Sequence, residues 1–166
     1  MSPTDGIELG RAEIWHAAEV GVKRRVQHHY AFAKGEKVDD PSTGATNSPY
    51  WCEIEGAIAE YAAAKYMGRY WPGDWWSRRH TVDIPPDIEV RWTKYTSGHL
   101  ILHDDDSKES KWVLVTGEIP VYHPVGWILG RDALVAEFCR SEGGELSYWV
   151  PQARLRPISE LCVIKE

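Results

Sequence analysis

Between Asp83 and Arg91 the chain reads Asp-Ile-Pro-Pro-Asp-Ile-Glu-Val-Arg, and no other stretch constrains the fold as much. Two adjacent prolines force a turn, because neither has an amide to donate and each fixes its own φ. Ile88 to Tyr95 then reads as a strand. Alternation sends Glu89, Arg91 and Thr93 to one face and Val90, Trp92 and Lys94 to the other. The turn can bring Asp83 across from Glu89, while Asp87 competes because it shares the face of Glu89. Acids beside a base at a strand edge suit a hard divalent cation and a charged phosphate. The same residues also make an ordinary solvent-facing ion pair, so the reading depends on what lies upstream.

Upstream, Tyr50 to Met67 is an Ala-rich helix, with Ser48 as its cap, Pro49 in its first turn and Gly68 as its stop. Steps of about 100° per residue place Glu53, Gly56 and Glu60 on one narrow stripe and Glu55 on the opposite side. An earlier helix is expected over residues 5–33, with Asp5 as cap and Glu8 completing a capping box. Its apolar stripe is Trp15, Ala18, Val22, Val26 and Tyr30, and Lys23-Arg24-Arg25 reads as a solvated face. Residues 34–49, rich in Gly, Pro, Ser and Asp, form a loop of unusual length.

After Arg69-Tyr-Trp-Pro-Gly-Asp-Trp-Trp-Ser-Arg-Arg-His80 come strand signals at 81–83, 88–95, 99–103, 111–116 and 121–129. Residues 131–140 read as a short helix, Gly143-Gly144 as a break and Leu146–Val150 as a last strand. The tail is irregular, with a final helical turn. This order predicts an α/β chain with a central mixed sheet flanked by helices.

At 166 residues, with 43% hydrophobic and 27% charged residues, the chain is expected to be one globular domain over 1–166. No apolar run is long enough for a membrane span and no signal-type start is seen, so a cytoplasmic location is expected. Three scattered cysteines suit neither a disulfide frame nor a zinc site. The net charge of −6 argues against a protein that simply coats nucleic acid. It leaves room for a metal-dependent nuclease, whose carboxylates are neutralised by their ions. Nine tryptophans allow a second contact mode. Trp71, Trp75 and Trp76 lie near Arg69, Arg78 and Arg79, and such a set either stacks on bases or caps a core edge. The histidines show no ligand spacing, and Asp104-Asp105-Asp106 lacks the pattern of a calcium loop.

The run from Gly56-Ala-Ile-Ala-Glu60 through Asp83 to Glu89-Val-Arg91 resembles the PD-(D/E)xK nuclease superfamily over residues 48–130, and the layout looks like its small phage-type members. The resemblance implies a restriction-endonuclease-like or Holliday-junction-resolvase-like core with an N-terminal helix added, and residues 131–166 as a C-terminal helix, strand and tail. It implies Mg2+- or Mn2+-dependent hydrolysis of DNA phosphodiesters. Glu60 would be the helix acid, Asp83 the strand aspartate, Glu89 the second acid, and Arg91 the residue in the lysine position. Asp83, Glu89 and Glu60 would hold the metal, with Glu53 orienting DNA or a water. Arg78, Arg79, Lys94 and Trp75 would contact nucleic acid. Arg91 departs from the pattern, because arginine keeps its proton near neutrality and acts only electrostatically. DNA is the implied partner, in the host cytoplasm if phage-encoded, and two-strand cutting calls for a homodimer. The alternative is an inactive nuclease-fold protein binding nucleic acid or a host defence or replication protein.

Overall fold

The computed structural model describes residues 6–35, 49–75, 81–142 and 145–163. Its order is β1 (Ile7–Glu8), α1 (Arg11–Ala33), α2 (Pro49–Met67), β2 (Ile88–Thr93), β3 (Leu100–His103), β4 (Lys111–Glu118), β5 (Val121–Leu129), α3 (Gly130–Ala133), β6 (Cys139–Glu142), β7 (Glu145–Val150) and β8 (Arg156–Pro157). Short 3-10 turns occupy Ala136–Phe138, Gln152–Arg154 and Ile158–Leu161. No described helix is long and apolar enough to cross a membrane.

The architecture is α/β with a mixed sheet. Strands run β1-β5-β4-β2, with β8 also on β5. β2 lies parallel to β4, while β4 and β5 are antiparallel. A parallel pair needs a crossover, and here β3 lies within that connection, in a second, antiparallel sheet ordered β3-β7-β6. The helices therefore cover one face of the mixed sheet and the second sheet covers the other. Ile88, Val90, Val113 and Val115 face Ala57, Ile58 and Ala64 in one core. Trp112, Leu114 and Ile128 face Leu100, Leu102, Phe138 and Val150 in the other. The expected mixed sheet with helices packed on it is thus present, with a second sheet on its other face.

Three element readings need correction. The first helix starts at Arg11, not near residue 5, because Ile7 and Glu8 pair with Tyr122 and Val121 on the edge of β5. Glu13 Oε2 then accepts from the Gly10 amide at 2.7 Å and from Lys65 at 2.7 Å, which caps α1 and ties it to α2. The expected helix at 131–140 lasts one turn, since Phe138 is drawn into the second core and Cys139–Glu142 pairs along β7. The expected strand at 81–83 does not form; the nearest pairing is a bridge at Ile84, with Ile84 and Ile88 exchanging both hydrogen bonds at 3.0 Å around Pro85-Pro86-Asp87. The proposed caps Asp5 and Ser48, the break at Gly143-Gly144, and most of the 34–49 loop lie outside the described residues.

The largest reversal concerns α1. Its buried face carries Ala17, Val20, Gly21, Arg24, Arg25 and Ala31, so Arg24 and Arg25 are not solvated. Of the predicted apolar stripe, Trp15, Val22, Val26 and Tyr30 are exposed. Close approach to α2 is the reason. A Cβ at Gly21 would sit 2.5 Å from the Glu53 carbonyl oxygen, so no side chain beyond glycine's fits at that crossing. The bulky residues turn outward.

Candidate carboxylate site

Helix α2 carries three buried acids with different environments. Glu55 points to the mixed sheet, where the Tyr122 hydroxyl donates to it at 2.6 Å, and burial raises its pKa. Glu60 lies toward α1. Arg24 grips it with both guanidinium arms, Nη1 to Oε1 at 2.5 Å and Nη2 to Oε2 at 2.8 Å, and gives its Nε to the Asp74 carbonyl at 2.9 Å. The Trp71 indole donates to Glu60 Oε2 at 3.2 Å. Both partners are about nine-tenths buried, so a bidentate, fully hydrogen-bonded pair is what makes the burial tolerable. Burial alone would loosen the Arg24 proton, but the charge and hydrogen bonds of Glu60, with the charges of Asp83 and Glu53, together outweigh it and hold the proton more firmly.

At the open edge of β2 the Pro-Pro turn folds Asp83 back onto the strand. Its Oδ2 accepts from the Val90 amide at 2.8 Å. That amide points away from β4, so the carboxylate supplies the partner a further strand would have given. Glu89 lies against Asp83, whose backbone and carboxyl both favour its charged form. Burial, then the charges of Glu60 and Glu89, push Asp83 well above the usual carboxylate range, against the pull of the Val90 amide and Arg24. Burial also raises Glu89, opposed by Asp83 and by the Arg91 charge.

Of the two aspartates, the structure brings Asp83 to Glu89. Asp87 instead pairs with Lys111 at 2.5 Å. Glu60 lies near enough to repel both acids but is committed to Arg24 and Trp71. Among the described residues no three His, Cys, Asp or Glu side chains come together as a ligand group. The expected three-acid metal set is thus a pair, Asp83 and Glu89, with Glu60 beside it. Two carboxylates fit a hard cation that keeps several waters, which is the usual way magnesium is held.

Arg91 shares the sheet face of Glu89 but reaches Asp106 at 2.8 and 3.0 Å and stacks over Trp112, 4.4 Å from the ring centre. Of the expected nucleic-acid contacts, Lys94 is exposed over Tyr95, Trp75 lies under the Lys23 ammonium, and Arg78 and Arg79 fall outside the described residues. A cleft of about 290 Å3 lined by Pro72, Asp74, Thr81, Val82, Pro85 and Pro86 opens beside Asp83. Sequence reasoning missed the role of Arg24 and offered Trp71 only as a base-stacking or core-edge residue. The available signal was the spacing of Ala17, Gly21 and Arg24, small residues marking a helix contact with the arginine in line. No family model, no curated protein and no solved structure matches the chain.

Two predictions follow from these pairings. Arg24→Ala strands a buried carboxylate and should cost about 3–5 kcal/mol in denaturant unfolding, whereas Arg24→Met with Glu60→Leu should recover most of that loss. An undiminished loss in the double variant would contradict the pairing. The second concerns pH. Asp83 is raised in the folded state, so its contribution is full below the unfolded value of about 3.9 and is lost as pH rises through the folded value. In chelator-treated buffer, Asp83→Asn should therefore be more stable than the parent at pH 8. The gap should close toward pH 4; equal melting curves at both ends would remove the raised Asp83 carboxyl from the account.

Proposed function

We propose that the chain is a phosphodiester hydrolase acting on DNA, on a restriction-endonuclease-like core, with Asp83 and Glu89 holding Mg2+ or Mn2+. The observation that carries this reading is the Asp83–Glu89 carboxyl pair, pinned by the Val90 amide at the sheet edge and short of positive charge. A divalent ion between the two carboxylates would relieve their repulsion. When bound, the ion polarises a phosphoryl oxygen and lowers the pKa of a water.

The chain's own residues supply the rest. The Val90 amide aims Asp83, and the Asp83 backbone aims Glu89, so neither carboxylate needs to reorganise. Glu60 is a positioning residue: locked to Arg24 and the Trp71 indole, it walls the site from the helix side. Arg91 cannot accept a proton. Two positions along the strand from Glu89, its guanidinium can stabilise charge on a phosphate. Asp106 and Trp112 fix its orientation at the cost of part of its charge.

That same capture of Arg91 favours a second reading, a protein on this fold that binds nucleic acid or a protein partner without cutting. Calorimetric titration with Mn2+, paired with cleavage assays on plasmid, branched and single-stranded DNA, separates the two. The hydrolase predicts metal uptake with proton release, both lost in Asp83→Asn and Glu89→Gln. It also predicts that Arg91→Ala binds metal normally while cleaving about a hundredfold more slowly. No metal uptake and no cleavage of any DNA would leave the binding reading.

A further inference from the structure

The outward face of α1 is patterned for a helix partner. Trp15, Glu19, Val22, Val26, His29 and Ala33 all lie exposed, with Trp15 at 73%, Val26 at 54% and Val22 at 40%. Their spacing alternates four and three, the heptad seam of a two-helix contact. On a helix turning about 100° per residue they fall within about 40° of one line, opposite buried Ala17, Gly21 and Arg24. The seam is about 28 Å long. Solubility alone does not call for a tryptophan and two valines in one row on a helix already anchored by its other side.

We propose that this face is the interface of a homodimer in which α1 packs antiparallel on α1 of a second copy. The sequence complements itself under that symmetry. With the two-fold axis at the level of Arg24, Trp15 meets Ala33, Val22 meets Val26, and Glu19 meets His29, each pair formed twice. The largest seam residue falls opposite the smallest. The seam's acid falls opposite its only other ionisable residue, a base. Glu19 also holds Lys23 of its own chain at 2.8 Å, and His29 stacks on Tyr50 at 5.6 Å, so both side chains are already oriented on the outer surface. A parallel pairing would put Glu19 on Glu19, a like-charge contact that is unfavourable. The inference rests on the helix surface alone and stands whether or not the carboxylate pair cleaves DNA.

Light scattering on the full chain, from micromolar to sub-millimolar concentration, tests it. The expected particle has twice the 18.9 kDa chain mass. Val22→Glu with Val26→Glu, both exposed, should halve that mass and leave the far-ultraviolet spectrum and melting cooperativity intact. Glu19→Lys should weaken dimerisation about tenfold, and adding His29→Glu should restore it. A parent monomeric throughout overturns the proposal, as does a dimer indifferent to the valine substitutions. A monomer that co-sediments with anionic vesicles through Trp15 would assign the seam to a lipid surface instead, and likewise overturn it.

Discussion

The buried ion pair between Arg24 and Glu60 is the constraint around which the rest is arranged. A guanidinium and a carboxylate taken out of water are tolerable only when every donor and acceptor is met. Here both oxygens of Glu60 and three nitrogens of Arg24 are engaged. That requirement sets which side of α1 faces α2. It places Gly21 against the Glu53 backbone, and it draws the Trp71–Asp74 segment over the pair. Bulky apolar residues of α1 are left outside because the narrow interhelical space is already assigned.

The pair also shapes the chemistry next to it. Glu60, though held by Arg24, still repels the acids at the edge of β2, which have only weak compensation from Arg24 on one side and Arg91 on the other. Asp83 responds by holding its proton well above the usual carboxylate range. The same burial that disfavours two negative charges makes the pair receptive to a cation. Two kinds of carboxylate thus sit side by side, separated by their partners: a fixed guanidinium for Glu60, and the Val90 amide beside a second acid for Asp83.

Much of this was legible from local rules. The Pro-Pro turn, the alternation along Ile88–Thr93, the Pro49–Met67 helix ended by Gly68 and the opposed directions of Glu55 and Glu60 all follow from dihedral preference and periodicity. What periodicity cannot supply is the identity of the neighbour. Trp15, Val22, Val26 and Tyr30 form a proper apolar stripe, but a stripe does not say which surface it meets. Arg24 looked like part of a solvated basic run because its partner lies 36 positions away. Residues 131–140 have helical composition, yet hairpin pairing with β7 and burial of Phe138 outweigh a weak local preference. The second sheet escaped because β3 joins the β6–β7 hairpin only through contacts distant in sequence. At the site, proximity of Asp83 to Glu89 was readable from the turn. The withdrawal of Glu60 and the diversion of Arg91 to Asp106 were not.

The central claim is that a divalent ion belongs to Asp83 and Glu89 and that Glu60 belongs to Arg24. A crystal soaked in manganese chloride and measured at the manganese absorption edge addresses it directly. The account predicts an anomalous peak between the Asp83 and Glu89 carboxylates, with Glu60 still bound to Arg24. A peak elsewhere, or one ligated by a Glu60 that has left Arg24, would contradict it.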